Sequence, residues 1–332
     1  MRAVVITKYG GPEVMQVQER DDPSPGSGEV QIEVAASGIT FSDVMARIGL
    51  YGAAPKPPCV VGYEVAGTIV GLGEGVEGLS LGQRVIAGTE FGGYASQVVA
   101  VAGSVVALPE RFTFEQGAAI PVNYATAWAS LIGYGNLQSG ERVLIQAAAG
   151  GVGTAATQIA KRHGAEVYGT ASPNKHERIA ELGVDHPLDY TREGWESGLP
   201  KFDVILDPIG GKSLRRSYSM LRSGGRLVAF GASAVMSGEK RNRVTALRTV
   251  AQMPRFRVTK QISESKTVIG LNMRTLWTDR GTLATWIDPL KDLLADGTIK
   301  PVVAEAFSFE QAGDAHRMIS ERRNVGKVVL IP

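Results

Sequence analysis

The stretch AAAGGVG at residues 147–153 decides the fold of this 332-residue chain. It follows Arg142 to Ile145, an apolar run that predicts a strand, and it opens Val152 to His163, which has the spacing of a helix. Glycines at such a turn let the backbone bend tightly and approach a pyrophosphate, while the helix N-terminus supplies free N–H groups and partial positive charge. A glycine-rich turn of another α/β fold is the alternative, but the strands on both sides of the turn favour a dinucleotide site.

Strands and helices alternate along the chain after this turn. Strands are predicted at residues 166–170, 202–207 and 225–230, and helices at 174–182 and 213–221. This alternation is typical of an α/β protein with a doubly wound parallel sheet that carries helices on both faces. We therefore predict a Rossmann domain over residues 123–267.

The chain before residue 123 has a different pattern. Short apolar runs such as Ala3 to Ile6 and Val30 to Ala35 are separated by turn signals such as YGGP at residues 9–12. They predict a twisted, barrel-like antiparallel unit. The last part of the chain is predicted to form two helices and a final strand, at residues 283–294, 309–320 and 327–331.

Composition and charge narrow the function classes. The chain is 44% hydrophobic and 20% charged, which is an ordinary composition for a globular protein. Its net charge of +2 is too small to indicate electrostatic binding to nucleic acid or a membrane. Cys59 is the single cysteine, which excludes an internal disulfide and a cysteine-rich zinc site and favours a cytoplasmic setting. No apolar run reaches the roughly 18 residues of a transmembrane helix, so none is expected.

One local segment, residues 240–260, is strongly basic. It carries seven Lys or Arg residues and no Asp or Glu. The favoured interpretation is a solvated helix and loop near the substrate cleft. The alternative is a binding surface for anionic lipid, nucleic acid or an acidic substrate tail such as coenzyme A.

The end of the second predicted Rossmann strand bears on the choice between NAD and NADP. NAD sites usually place a carboxylate there for the ribose 2′-hydroxyl, whereas this strand ends in GTAS at residues 169–172. Lys175 follows near the end of this strand, at the start of the next predicted helix. The positive end of a helix dipole does not stabilise a cation, so the position of Lys175 favours a role in binding. The favoured interpretation is that Lys175 binds a 2′-phosphate, and hence that the cofactor is NADPH. The alternative is that Lys175 is a solvated lysine in the first turn of the helix.

Five further stretches carry a resemblance to a known family. They are SGITFSD at 37–43, GLY at 49–51, PVNYATA at 121–127, DPIGG at 207–211 and NVGKV at 324–328. With the glycine turn, they resemble the medium-chain dehydrogenase/reductase superfamily, its zinc-independent quinone oxidoreductase branch and, within that branch, the vesicle amine transport protein homologues. The resemblance covers essentially the whole chain. It implies a GroES-like, β-rich catalytic domain made from residues 1–122 and 268–332, with the Rossmann domain inserted between them.

The same resemblance implies cofactor contacts and pairing between copies. Thr126 is expected near the nicotinamide, and Asn324 is expected to close over the cofactor. The other expected contacts are to the pyrophosphate from Gly150, Gly151, Val152 and Gly153, to the 2′-phosphate from Ser172, Lys175 and Tyr190, and to the nicotinamide end from Phe230, Gly231, Ile269, Gly270 and Leu271. A homodimer is expected through the exposed edge strand that contains residues 268–271.

Departures from the zinc-dependent relatives imply chemistry without a metal ion. Tyr63 stands where those relatives have the zinc-binding His of a Gly-His-Glu motif, their catalytic Cys is missing from residues 38–43, and their four-Cys lobe is absent. Zinc would stabilise the negative charge that develops on a carbonyl. Without it, quinones and α,β-unsaturated carbonyls are the favoured acceptors, because hydride addition to them gives a delocalised anion.

Four polar side chains are candidates at the acceptor: Thr40, Asp43, Tyr51 and Tyr63. Tyr51 is the first choice as a hydrogen-bond donor, with an amphipathic core tyrosine as an equal alternative. Thr40 replaces the Asn of many relatives, and its hydroxyl donates over a shorter reach. A cap on the helix that follows is favoured for Asp43 over acid–base catalysis. Surface or packing roles are favoured for the four scattered histidines.

Three functions fit these residues. The favoured one is an NADPH-dependent reductase of quinones or enones. The alternatives are a non-catalytic NADPH-binding protein associated with a membrane or vesicle, and an enoyl-thioester reductase, which the basic 240–260 segment supports. Enone reduction needs little beyond the cofactor and space, so the sequence leaves all three open.

Overall fold

The computed structural model describes residues 1–235, 243–282 and 284–332 and places them in two large sheets and one two-stranded sheet. The strands are β1 (Arg2–Ile6), β2 (Met15–Glu19), β3 (Glu29–Ile39), β4 (Glu64–Leu72), β5 (Arg84–Gly88), β6 (Gln97–Val101), β7 (Val105–Ala107), β8 (Arg142–Ile145), β9 (Glu166–Ala171), β10 (His186–Asp189), β11 (Phe202–Asp207), β12 (Leu221–Ala229), β13 (Thr267–Gly270), β14 (Val303–Ser308) and β15 (Lys327–Ile331). The α-helices are α1 (Phe41–Arg47), α2 (Phe114–Ala118), α3 (Pro121–Trp128), α4 (Gly151–Arg162), α5 (His176–Glu181), α6 (Lys212–Met220), α7 (Arg243–Ala251), α8 (Val258–Glu264), α9 (Met273–Arg280), α10 (Ala284–Ile287), α11 (Lys291–Ala295) and α12 (Ala312–Ser320).

The six-stranded sheet is parallel throughout, in the order β10-β9-β8-β11-β12-β13. Its central strand β11 is buried along its whole length, as expected of a sheet covered on both faces. From β8 the chain winds one way through β9 and β10 and the other way through β11, β12 and β13. Such a switch in winding opens a crevice at the carboxyl ends of the central strands. The predicted Rossmann-type sheet is confirmed.

The other large sheet has seven strands, in the order β14-β15-β3-β4-β5-β7, with β6 paired to β3. All its pairs are antiparallel except that of β14 with β15. The last strand returns to pair with β3, where Val328 lies opposite Ile39. Both ends of the chain therefore build this unit, as the GroES-like prediction requires.

Strand β13 pairs with β12 at the edge of the six-stranded sheet. This sheet therefore continues past the predicted boundary at residue 267 and ends at Gly270. The division into 1–122, 123–267 and 268–332 stays a prediction about folding units.

The helix predicted at residues 283–294 is wrong as one continuous element. The chain forms α10, a 3-10 turn at Asp288–Leu290 and α11, and Leu283 lies outside the described residues. Pro289 is the physical reason, because it lacks an N–H group and its ring clashes with the preceding helical turn.

Candidate functional site

The glycine turn at residues 147–153 joins β8 to α4 at the crevice. Ala147 adopts a left-handed φ of 56°, and its N–H group donates to Oγ1 of Thr170 on β9 at 3.0 Å. α4 begins at Gly151 without a side-chain cap, so its first N–H groups remain for a ligand. A Cβ atom on Gly153 would lie 2.5 Å from the carbonyl oxygen of Ala147, so glycine is needed for α4 to approach the turn.

Asp207, at the carboxyl end of β11, shapes the neighbouring loop. Its buried carboxylate accepts four hydrogen bonds of 2.8–3.1 Å, from the N–H groups of Ile209 and Gly210 and the hydroxyls of Ser213 and Ser217. Four donors occupy the acceptor sites of the carboxylate. Asp207 therefore positions the loop beside the glycine turn, a role that its motif in the sequence did not reveal.

One cleft of about 1180 Å³ brings most of the predicted site residues together. It extends from the glycine turn across the central strands to α1 and β15. Its lining includes the predicted residues Thr40, Tyr51, Tyr63, Thr126, Gly150, Gly151, Val152, Gly153, Ser172, Lys175, Tyr190, Phe230, Gly231, Gly270, Leu271 and Asn324. Asp43 and Ile269 lie outside the lining: Asp43 is fully buried, and Ile269 packs against the hydrophobic core.

The charge of this lining has one sign. Among the residues that the structure describes, the lining contains no Asp or Glu, and its cations are Lys175, Lys212, Arg216, Arg248, Arg274, Arg322 and Lys327. Three of them, Arg216, Arg274 and Lys327, also pair with carboxylates outside the lining. A cleft lined by one sign of charge attracts an oppositely charged ligand, here a polyanion.

Lys175 is held by the C-terminal segment. Its Nζ atom donates to the carbonyl oxygens of Arg322 and Asn324 at 2.6 and 2.7 Å, and only 9% of the residue is exposed. Burial, and then the charge of Arg322, lower the pKa of Lys175. Gly326 donates its N–H to the carbonyl of Ala149 at 2.9 Å, so this segment lies directly on the glycine turn. Sequence reasoning missed Arg322, because no spacing relates it to the Rossmann motif.

An aromatic corner forms the opposite end of the cleft. The rings of Tyr51 and Tyr63 meet edge to face with centroids 6.4 Å apart, and Tyr63 packs on Phe91 at 5.1 Å. The Tyr63 hydroxyl is buried and has no hydrogen-bond partner among the described residues. Burial, and then the neighbouring Tyr51 hydroxyl, raise the pKa of Tyr63, so it stays a neutral donor. The corner therefore places the neutral phenol of Tyr63 behind the Tyr51 ring at this end of the cleft.

Thr40 and Asp43 form the N-terminal cap of α1. Thr40 is the N-cap residue, and its backbone N–H donates to Oδ2 of Asp43 at 2.7 Å. Asp43 also accepts the N–H of Gly62 at 3.2 Å. Burial raises the pKa of Asp43 to about 6, against the lowering effect of its hydrogen bonds with Thr40. The capping interaction favoured for Asp43 is present, and its carboxyl does not reach the cleft directly.

Glu64 and Lys327 form a buried ion pair beneath the cleft. The second oxygen of Glu64 accepts the N–H of Val122 at 2.7 Å. One carboxylate thus connects β4, β15 and the start of α3. No sequence pattern indicates this pair, since its members are 263 residues apart.

The basic 240–260 segment borders the cleft in part. Lys240 and Arg241 lie outside the described residues, Arg248 lines the cleft, and Arg255, Arg257 and Lys260 are exposed. In the described part of the chain, no helix has the length and apolar character needed to cross a bilayer.

Comparison with known proteins assigns the family. Residues 26–110 match the family described as Alcohol dehydrogenase GroES-like domain, and residues 182–330 match Zinc-binding dehydrogenase. The chain is 36% identical to the synaptic vesicle membrane protein VAT-1 homolog of Danio rerio, over 99% of this chain and 69% of that protein. It is 35% identical to the Homo sapiens homolog, over 100% and 86%. The chain belongs to the medium-chain dehydrogenase/reductase superfamily. Within it, the chain lies in the quinone oxidoreductase-like group near the VAT-1 homologues, as its motifs predicted.

A solved structure of this superfamily agrees with the fold. The Escherichia coli quinone oxidoreductase complexed with NADPH superposes with a TM-score of 0.85 at 30% identity, and the match covers 100% of both chains.

The zinc in the name of one matching family does not fit the side chains of this medium-chain dehydrogenase/reductase. Tyr63 occupies the position where the sequence comparison expects a zinc-binding His, and a phenol that burial keeps protonated is not a zinc ligand. Over the described residues, no group of three or more His, Cys, Asp or Glu could hold a metal ion. We therefore assign no step to zinc.

Proposed function

We propose that this medium-chain dehydrogenase/reductase transfers a hydride from NADPH to a quinone or an α,β-unsaturated carbonyl without a metal ion. The observation that carries the proposal is the two-ended cleft. One end joins an uncapped helix N-terminus to a cationic lining whose described residues include no carboxylate, and the other is an aromatic corner with phenol and threonine hydroxyls. NADPH supplies the hydride, and the E. coli relative whose structure holds NADPH supports this choice.

The residues around the cleft fit each part of the cofactor. Free N–H groups at Gly151 to Gly153 suit the pyrophosphate, and Gly150, whose N–H donates to the carbonyl of Ala147, supplies the close backbone approach. The 2′-phosphate would bind between Lys175, Ser172 and Tyr190, with Arg322 as an additional cation. Thr126, Phe230, Gly231, Ile269, Gly270, Leu271 and Asn324 are proposed for the nicotinamide end and its closure.

The aromatic corner fits an acceptor whose carbonyl does not need activation by a Lewis acid. Tyr51 lines the cleft and is our first choice to donate a hydrogen bond to the acceptor oxygen, with Tyr63 behind it. Neutral donors in a site that excludes water stabilise developing negative charge more than they do in bulk solvent. The delocalised anion of a quinone or enone requires no stronger Lewis acid.

The test is NADPH oxidation by the purified protein with three acceptor classes: small quinones, 2-enals and enoyl thioesters. We expect turnover that persists after chelation, with no stoichiometric zinc by elemental analysis. Tyr51→Phe should lower kcat about 10- to 100-fold with little change in NADPH binding, because it removes one transition-state hydrogen bond. Tyr124→Phe is the matched control, since its hydroxyl bonds Gln158 away from the cleft lining.

Each outcome separates the candidate functions. Tight NADPH binding without oxidation by any activated acceptor would indicate the non-catalytic alternative. Turnover confined to enoyl thioesters would indicate the thioester reductase, in which case Arg248 at the cleft is the first cation to substitute. Zinc bound in stoichiometric amount, with loss of activity on chelation, would refute the metal-free chemistry.

A further inference from the structure

A chain of hydrogen bonds leads from the cleft into the buried interior. Thr40 and Ser42 both line the cleft, and their hydroxyl oxygens are 2.8 Å apart. Oγ1 of Thr40 is also 2.8 Å from Oδ2 of Asp43. The hydroxyl of Tyr94 lies 3.1 Å from that same Oδ2 and 3.1 Å from Nε2 of His316. Four side chains beyond Ser42 thus form one continuous path.

The inner part of this path is fully buried. Asp43, Tyr94 and His316 each have 0% exposure. Burying three ionisable groups is costly unless they satisfy one another, and apolar residues of similar size would stabilise the fold at least as well. The capping interaction of Asp43 requires Thr40 alone and gives no reason for Tyr94 or His316. The extra members therefore suggest a role beyond the cap.

The donors of this path point toward Asp43. Burial, and then the charge of Arg47, lower the pKa of His316 well below its usual value, so its ring is neutral. Nδ1 of His316 has no hydrogen-bond partner among the described residues, which leaves Nε2–H to donate to the Tyr94 oxygen. Tyr94 then donates its own hydrogen to Asp43.

We propose that Thr40 donates the proton that the reduced acceptor needs, and that Asp43, positioned by Tyr94 and His316, restores the proton to Thr40. The inference rests on the proposed reductase function and names its proton donor. It makes Thr40 the catalytic residue at the acceptor, and Asp43, Tyr94 and His316 the positioning residues behind it.

The step balances with groups in the cleft and solvent. For an enone, hydride adds to the β-carbon, and the electron pair moves to the carbonyl oxygen. The enolate so formed takes the Thr40 proton at its α-carbon, which restores the carbonyl and gives the saturated product. The Thr40 O–H bond breaks as this C–H bond forms, and the Asp43 O–H bond breaks as Thr40 regains its hydrogen. After product leaves, the Asp43 carboxylate takes a proton from solvent by way of the Ser42 and Thr40 hydroxyls.

Charged side chains act on both Asp43 and Tyr94. Lys327 on β15 lowers the pKa of Asp43, while Arg47 on α1 and Glu64 on β4 have opposite effects on the pKa of Tyr94. With His316 neutral, burial is the largest influence on Asp43 and keeps its pKa near 6. A group that titrates near neutral pH can hold and release a proton within each turnover.

Tyr94→Phe is the decisive variant, because it keeps the ring and removes the hydroxyl. Loss of a donor to the carboxylate should raise the pKa of Asp43 by about one unit. Only protonated Asp43 can return a proton to Thr40, so kcat/KM of the wild type should fall as pH rises through the pKa of Asp43. In Tyr94→Phe, this falling limb should move to higher pH by the same amount as the pKa. Two measurements test this: ¹³C NMR titration of aspartate-labelled protein, assigned with Asp43→Asn, and the pH profile of enone reduction. Tyr124→Phe should move neither.

Every outcome decides the proposal. A falling limb that stays in place while the Asp43 pKa rises would overturn the proton transfer, and an Asp43 pKa that does not move would overturn the coupling to Tyr94. No turnover with any acceptor would refute the reductase function and the donor with it, whatever the NMR result.

A second pair of variants covers the case in which Tyr94→Phe does not fold. Thr40→Ser and Thr40→Asn both keep a good N-cap on α1, but Asn has no hydroxyl to pass a proton. The Ser variant should retain the falling limb, and the Asn variant should lose it with at least about tenfold lower kcat. A wild-type profile in Thr40→Asn would exclude Thr40 as the donor.

Discussion

Lys175 connects two parts of the molecule through one ammonium group. It bonds the carbonyls of Arg322 and Asn324, and it lines the cleft where we propose the 2′-phosphate. The sequence alone predicts that Lys175→Ala weakens NADPH binding and leaves NADH nearly unchanged. Because Lys175→Ala also removes both hydrogen bonds to residues 322–324, we expect NADPH to bind at least about tenfold more weakly and NADH a few-fold more weakly.

Titration calorimetry with both cofactors measures these losses. Lys212→Ala is the control, because it removes one positive charge from the cleft lining without touching the C-terminal segment. Equal losses of NADPH and NADH in Lys175→Ala would mean that Lys175 positions the segment and does not contact the phosphate. Tighter binding of NADH than NADPH by the wild type would contradict the assignment of this corner.

Asp43 and His316 should affect stability in opposite directions as the pH changes. The folded pKa of Asp43 is raised from 3.8 to about 6, so its contribution is full below about pH 3.8 and is lost as pH rises through 6. The pKa of His316 is lowered, so its contribution is present above 6.5 and is lost as the pH falls below that value. The two effects partly cancel in the wild type.

Asp43→Asn should expose this cancellation. Between about pH 4 and 6, its free energy of unfolding should gain up to about 1.4 kcal/mol per pH unit relative to the wild type. Urea unfolding of both proteins at several pH values in this range gives the difference between their free energies of unfolding. The contributions of the other titratable groups cancel in this difference. Parallel pH profiles for the two proteins would show that Asp43 titrates normally in the fold.

The close contact between α4 and the glycine turn requires a glycine at position 153. A Cβ on Gly153 would meet the backbone oxygens of Ala147 and Ala148 at 2.5 and 2.6 Å. Gly153→Ala should therefore lower the free energy of unfolding by about 1–3 kcal/mol. Gly150→Ala is the matched control: its Cβ would lie 3.4 Å from the nearest atom, and its φ of −73° suits any residue.

Urea denaturation of the two glycine variants checks this expectation. The Gly150 variant should stay within about 0.5 kcal/mol of the wild type, although its cofactor affinity can still fall. Equal stability of the two variants would mean that the helix moves aside without cost.

The elements also show where sequence patterns predict boundaries well. β11 and β15 begin and end where predicted, because each contains an uninterrupted apolar run, residues 204–206 and 328–331, that Asp207 or Pro332 ends. Asp43 was predicted to cap α1. In the structure Thr40 is the N-cap residue, and Asp43 is its reciprocal partner in the capping box. Both residues are good capping residues, and only the backbone conformation at Thr40 distinguishes the two positions.

For the whole molecule, we predict a homodimer. β13 lies at the edge of the six-stranded sheet, and an edge strand offers unpaired backbone groups to a second copy. Next to it on α8, Val258 and Ile262 are 67% and 71% exposed, so a partner would cover apolar side chains. Light scattering at micromolar concentration should give twice the chain mass of 35.2 kDa.

Ile262→Asp places a charge on this apolar surface and should shift the protein toward monomer, while Leu247→Asp on α7 serves as an equally exposed control. A monomer mass for the wild type would contradict the prediction, and equal dissociation by both substitutions would place the interface elsewhere.

Residue patterns were enough to predict the two sheet types, the glycine turn and the family, because these depend on local residue order and on short motifs. They also placed Thr40, Tyr51, Tyr63 and the phosphate-binding residues as candidates. Three contacts became visible only in the folded chain: Lys175 bonds the C-terminal segment, Glu64 pairs with Lys327, and Tyr94 and His316 continue the path from Asp43. The physical reason is burial: these groups are far apart in sequence, and each must find hydrogen-bond partners among whatever residues the packed sheets bring beside it.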